Sequence, residues 1–277
     1  MNATDNDHIE YRIAETREDL EGAARLVYGN YIQKGYCGFN IYQFHFHRFD
    51  VLPETRVAVA VQNGRVIATL TLVFDSGLGL PSDSLYGKEL ALLRNSGRRL
   101  AEITKLSIDR AVRARQVSIL HQLSRLAYLA AAKARGITAF CIQVEPHHER
   151  FYRKICLFER MGEEREDPCA ANAPTILLCL NLVEAPEKAR EAFGESAEPS
   201  NFFWFYFLDP QAKRLEAEIR AADLRLSEID RVRNDDSLTA VQCGYLAFRK
   251  FVRGFVANYG KAKDWPKAKE SSLKAVS

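Results

Sequence analysis

Residues 55–74 read TRVAVAVQNGRVIATLTLVF, and this stretch restricts the fold more than any other. Two alternating runs rich in valine, isoleucine and threonine flank Asn63-Gly64. That dipeptide is the one best suited to a two-residue turn in which both central residues take positive φ. The spacing predicts an antiparallel β-hairpin.

Upstream, YRIAE at 11–15 reads as a short strand, and a helix begins between Arg17 and Asp19 with Leu20, Ala24, Val27 and Tyr31 at helical spacing. GYCGFNIYQFHFHRFDVLP (35–53) is crowded with aromatics but has no period, and reads as irregular cover over apolar material. After the hairpin come the loop-like GLGLPSDSLYG, a short helix around Glu89 to Arg94, and a strand, RLAEITKLSID, at 99–109. A helix from about Gln116 to Ala134 shares Ile119, Leu123, Leu126 and Ala130 on one face, with Gly136 as a good C-cap. TAFCIQVEP is then a buried strand, HERFYRKICLFERMG a short helix and its exit, and PTILLCLNL a last strand. This order fits the α/β (α+β) class, with one mixed central sheet flanked by helices on both faces.

From Asp209 the pattern changes, with Asp209 as an N-cap and Pro210 at the first helical position. Leu215, Ile219, Ala222, Leu226 and Ile229 repeat at alternating spacings of four and three. Leu238, Val241, Tyr245, Phe248, Val252, Phe255 and Tyr259 do the same after the break RNDDS. The pattern predicts a C-terminal antiparallel helical hairpin with arms of about 22 residues, or ~33 Å. Its stripes suit packing or homo-oligomerisation, and docking of a partner protein is the alternative.

A chain of 277 residues, 47% hydrophobic, has enough apolar material for a substantial core. A formal charge of +3 is too weak to argue for a nucleic-acid partner. Cys37, Cys141, Cys156, Cys169, Cys179 and Cys243 are scattered without C-x-x-C spacing, and no secretory segment opens the sequence. A reducing, cytoplasmic setting is expected. No apolar run approaches the roughly 20 residues that span a bilayer.

The strand, turn and helix at 102–134, followed by VEPHHERFYRKICLFERMG, resemble the GNAT acyltransferase superfamily, in which a basic glycine-rich turn binds the pyrophosphate of coenzyme A. GLPSDSLYGKELALLRNSGRRLAEITKLSID together with PHHERFY resembles, more narrowly, the long-chain N-acyl amino acid synthases, which are related to the acyl-homoserine lactone synthases. The resemblance runs from about Tyr11 to Leu182 and rests on the spacing of Leu80-Pro81, Asp83, Tyr86, Glu89-Leu90, Arg94 and Glu102. It implies a GNAT-like acyltransferase domain over 11–185. Around it lie a flexible N-terminus (1–10), a linker with an aromatic cluster (186–208), the helical hairpin (209–260) and a flexible tail (261–277). The implied activity is transfer of a long-chain acyl group from acyl-carrier protein to the α-amine of a small-molecule amino acid acceptor.

Arg113-Ala114-Arg115-Gln116-Val117-Ser118 falls where many acetyl-CoA users carry Arg-Gly-x-Gly-x-Gly. All three glycines are replaced. Side chains there crowd a pyrophosphate, whereas a single phosphate can be met by arginine and one or two N–H groups. The donor expected is therefore acyl-4′-phosphopantetheine on acyl-carrier protein, with no tightly bound cofactor, and coenzyme A is the alternative. Arg113, Arg115, Gln116 and Ser118 are the candidate phosphate contacts. Arg110, Lys133 and Arg135 would add to the attraction of an acidic carrier, unless the basic residues form only a solvated face.

Making an amide from a thioester requires a neutral amine, a polarised carbonyl and a stabilised thiolate. Glu102 lies on a mostly apolar strand, which raises a carboxyl pKa and makes a better base. The resemblance implies the same role, since the lactone synthases carry Glu-x-x-Arg there. Here Lys105 replaces the arginine, giving a point charge in place of a bidentate fork. An ion pair of Glu102 with Arg98 or Arg99 is the alternative. Backbone N–H groups of Leu106, Ser107 and Ile108, where this strand splays from its neighbour, are the candidate oxyanion donors.

Tyr152 falls where some superfamily members use a tyrosine to protonate the departing sulfur, with core packing as the alternative. Arg98, Lys105 and His148 complete the acceptor side, and His148 also reads as a helix-start residue. No metal is expected, because His147-His148 has no carboxylate or cysteine at ligand spacing and His45 with His47 is too few. The acyl chain has two candidate channels, the aromatic cover at 36–49 and the cluster at 202–207, of which the second would also allow peripheral membrane contact. Rival readings are a lactone synthase using S-adenosylmethionine and a non-catalytic acyl-binding or scaffolding module.

Overall fold

β2 (Arg56–Gln62) and β3 (Arg65–Phe74) pair antiparallel, and Asn63 and Gly64 between them take φ of 52° and 73°. The predicted hairpin therefore forms with its left-handed turn. In the computed structural model, which describes residues 8–198, 200–231 and 239–259, this hairpin anchors an eight-stranded sheet. β1 (Glu10–Ile13) extends one edge and β4 (Leu100–Ile108) pairs with β3, both antiparallel. β5 (Ala139–Val144) runs parallel to β4, and β8 (Ala173–Asn181) runs antiparallel to β5. Two short strands, β6 (Glu159–Arg160) and β7 (Arg165–Asp167), pair with β8.

Alternation along the strands feeds two cores. On one face Ala60, Leu70, Leu72, Ala101 and Phe140 meet α3 (Gln116–Tyr128), which continues through a π-helical turn at Leu129–Lys133. On the other face Val59 and Val61 meet α1 (Arg17–Lys34). Val73, Leu100 and Cys141 on that same face meet α2 (Asp83–Asn95). The fit under α2 is close: a Cβ on Gly162 would lie 2.5 Å from Cε1 of Tyr86, so only glycine passes there. The fold class is the one the sequence predicts, a mixed sheet with helices on both faces.

Several boundaries differ from expectation. α2 starts at Asp83, six positions before Glu89, because the Leu80–Ser82 turn leads straight into it. α4 (Glu149–Lys154) follows β5. The stretch expected as a linker contains α5 (Ala185–Phe193) and a π-helical turn at Trp204–Leu208. Ring contacts of Phe202, Phe205 and Tyr206 with His121 seat this aromatic cluster on α3.

α6 (Gln211–Arg231) and α7 (Ala240–Tyr259) form the extension. Asp209 accepts from the Gln211 N–H and pairs with buried Arg125, fixing the start of α6. The heptad stripes serve packing, one of the uses expected of them. Ile219, Ala222 and Leu226 enter the α3-face core, and Phe248 and Val252 pack with Ala24 and Phe44. Asp223 ties α6 down through Arg56 and Arg135. The RNDDS break, the first seven residues and the tail lie outside the described residues. Among the described residues no helix is long and apolar enough to cross a membrane.

Candidate active site

β4 pairs with β5 only from Leu100 to Glu102, against Ala139 to Cys141, although both strands continue beyond that point. The two strands part at Glu102. On the other edge of β4 the register against β3 jumps between Thr104 and Ser107, and Lys105 inside the jump has φ of 54°. A lysine in left-handed conformation at a bulge is strained backbone of the kind that concentrates at functional sites. Leu106, Ser107 and Ile108 follow on the parted edge, and Ser107 Oγ is buried without a hydrogen-bond partner among the described residues.

Glu102 is buried beside Cys141, on the face covered by α2. Its carboxyl accepts from Ser82 N–H at 2.8 Å and lies 2.8 Å from Ser82 Oγ. Among the described residues no arginine pairs with it; Arg98 reaches Asn181 and Glu184 instead, so the alternative ion pair with Arg98 or Arg99 does not form and Arg98 stands apart from Glu102. Burial pushes the Glu102 carboxyl up to about 8, against the partial opposition of the Ser82 bonds.

Ser82 has one hydroxyl proton and two acceptors, Glu102 and the Gln143 Oε1 at 3.2 Å. With Glu102 protonated, every bond is satisfied in one direction. Glu102 donates to Ser82, Ser82 to Gln143, and Gln143 Nε2 to Asp167 at 2.7 Å. Ionising Glu102 turns the Ser82 hydroxyl back toward it and leaves Gln143 Oε1 without that donor.

The residues that carried the sequence resemblance build the support for Ser82. Arg94 donates to Asp75 at 2.6 Å and to Asp83 at 2.7 Å, and Asp83 in turn accepts from the Leu80 N–H at 2.6 Å. Glu89 pairs with Arg165 of β7, and Tyr86 reaches the Thr175 carbonyl at 2.8 Å. Together they hold the turn that presents Ser82 to Glu102.

Lys105 is nearly buried and paired with Asp50 of the aromatic cover. His45 and His47 flank this pair, and burial lowers them to about 3 and about 4, so both stay neutral. Tyr152 lies in the core cluster on the α3 face, edge-on to Phe151 and Phe158, with its hydroxyl pKa raised by burial. Glu102 and Tyr152 thus belong to opposite faces of the sheet.

The turn at 110–115 is a 3-10 helix capped by Asp109, and α3 begins at Gln116 with no side-chain cap on its first turn. Arg113, Gln116 and Ser118 are exposed and Arg115 half-exposed. An uncapped helix N-terminus beside exposed arginine is a competent phosphate site. His148 is exposed, and Glu145, His147 and His148 bring ligand atoms within 4.8 Å of one another, which supplies the carboxylate that the sequence reading found missing. Glu145 is already engaged by Lys34 and Tyr36. Ser82, Gln143, Asp167 and Asp50 were not anticipated. Only Ser82 carried a signal, by its place beside Asp83 in the turn.

A family model described as N-acyl amino acid synthase FeeM matches residues 22–181. Among solved structures, FeeM, an N-acyl amino acid synthase from uncultured soil microbes, is 25% identical, with 67% of this chain aligned to 97% of that one and a TM-score of 0.57. An acyl-CoA N-acyltransferase from Pseudomonas aeruginosa is 16% identical over 62% of this chain and 99% of its own, with a TM-score of 0.45. A CoA-dependent acyl-homoserine lactone synthase, BjaI, is 15% identical over 63% and 84%, with a TM-score of 0.48. No curated protein matches the chain. The match spans more than half of the sequence and contains the splayed strand, Glu102 and the α3 turn, and the chain belongs to the N-acyl amino acid synthase FeeM family of acyltransferases.

Proposed function

We propose that this N-acyltransferase moves a long acyl chain from the 4′-phosphopantetheine thioester of acyl-carrier protein to the α-amine of an amino acid. The observation that carries the reading is Glu102, a buried carboxyl with a raised pKa at the point where β4 and β5 part. A thioester arm entering that opening would lie between Glu102 on one face and Tyr152 on the other. The amine nitrogen attacks the thioester carbon and gives its proton to ionised Glu102. The N–H groups of residues 106–108 on the parted edge receive the oxyanion. The carbon–sulfur bond then breaks, and the sulfur takes a proton from Tyr152, whose raised pKa keeps its hydroxyl protonated until the thiolate leaves. Amide and free thiol leave.

The donor rests on the α3 turn. Its exposed Arg113, its uncapped first helical turn and the missing glycines suit one phosphate better than two. Six cysteines with no disulfide among them suit a reducing cytoplasm. The deciding experiment supplies the purified protein with matched acyl-carrier protein and coenzyme A thioesters, plus mixed amino acids or S-adenosylmethionine, and identifies products by mass spectrometry. N-acyl amino acids formed from the carrier thioester are expected. Exclusive use of coenzyme A, or a lactone product, would overturn the donor or the acceptor respectively.

A further inference from the structure

A narrow cavity runs from the site strand toward the extension. Thr71 and Lys105 line it on the sheet side and Ala24 on α1, while Phe248 and Arg249 of α7 close it. Three cations line this cavity, and two have their counter-charge. Lys105 pairs with Asp50, and Arg56 pairs with Asp223 at 2.7 Å.

Arg249 has none. It is 7% exposed, and its bonds go to neutral acceptors, the Tyr245 hydroxyl at 3.1 Å and the Val51 carbonyl at 2.9 Å. Its Nε is buried with no partner, and among the described residues no carboxylate lies within ion-pair distance. Burying a guanidinium without counter-charge is strongly unfavourable, and an anion bound beside it would offset that cost. Arg249 adjoins Val51, the neighbour of Asp50, so its free edge and the Lys105–Asp50 pair belong to one cavity.

We propose that Arg249 receives a carboxylate of the acceptor, so that the extension, which lies outside the family match, takes part in choosing the substrate. This rests on the reading that the acceptor is an amino acid. The carboxylate is either the α-carboxylate common to all amino acids or the side-chain carboxylate of an acidic one. The planar fork of arginine suits either group bidentately.

The test uses the full chain. Thermal unfolding is followed with millimolar L-amino acids and with their α-amides, which keep the amine and lose the α-carboxylate. At least one acid is expected to raise Tm more than its amide, and Arg249→Gln should erase that difference. If the side chain is the source, aspartate or glutamate and their α-amides will raise Tm alike, again only with Arg249 present. In turnover, Arg249→Gln should raise KM for the acid by about 10- to 100-fold, the value of a charge-assisted hydrogen bond, with Arg249→Lys between. Where the turnover preference is for the α-carboxylate, the amide should be little affected. Ligand shifts identical in wild type and Arg249→Gln, including no shift in either, or an unchanged KM, would overturn the inference. An Arg249-dependent shift in a protein that makes no N-acyl amino acid would instead sink the proposed function and leave the carboxylate site standing.

Discussion

Glu102 carries its proton at neutral pH, and the directed chain through Ser82 and Gln143 to Asp167 is satisfied in that state. As a base it must ionise, so kcat/KM should climb with pH and level off above about 8. Glu102→Gln should lower turnover by about 10²- to 10⁴-fold with the fold intact, and rates equal to wild type would remove it as base. The same proton bears on stability. A folded pKa of about 8 against an ordinary 4.5 means the contribution is full below 4.5 and is lost as pH rises through 8. Melting curves should therefore show wild type losing ground to Glu102→Gln across that window. Ser82→Ala removes one donor to the ionised carboxylate, so the midpoint of the pH–rate profile should move upward by up to about one unit. A downward move would mean that accepting from the protonated carboxyl outweighs donating to the ionised one at Ser82. At this scale Glu102 was legible, because a lone carboxylate on an apolar strand is visible in one segment. Its partners were not, because Ser82, Gln143 and Asp167 come from three elements whose meeting only the sheet register decides.

The elements with strong periodicity came out where the sequence placed them: the 56–74 hairpin, α3 and β8. α5 did not, since its buried contacts are Ala185 and Ala189, residues too small to print a hydrophobic stripe. The π-helical turns at Leu129–Lys133 and Trp204–Leu208 were equally silent, because one extra residue in a turn leaves the spacing nearly unchanged. The turn before α3 was readable as basic and glycine-free, and it makes a prediction of its own. Arg113→Ala and Arg115→Ala should each weaken use of the carrier thioester, by about two- to fivefold at low salt. Raising ionic strength should shrink both effects, because screening already removes part of the attraction in wild type. Steady-state rates across a salt series would expose an effect indifferent to salt, which would make the turn a connector only.

Across the whole molecule, the heptad stripes marked the buried faces of α6 and α7 but not what buries them. A stripe records only that something apolar lies opposite, and here that is largely the acyltransferase domain itself. Arg249 left a faint trace, a charge one turn after Tyr245 on a stripe otherwise apolar. Phe248→Ala should cost about 3–5 kcal/mol, since Phe248 is buried against Phe44 and Phe46. Leu224→Ala, on a residue 62% exposed, should stay within about 0.5 kcal/mol. Equal costs in denaturant unfolding would mean that the extension is not part of the cooperative unit. The position of α7 also sets an order in time. Translation delivers the sheet, Glu102 and the α3 turn well before the helix whose Phe248 and Arg249 line the cavity, so on a chain still being synthesised that cavity lacks one wall. The cavity gains its α7 wall only when the last described helix has left the ribosome and docked.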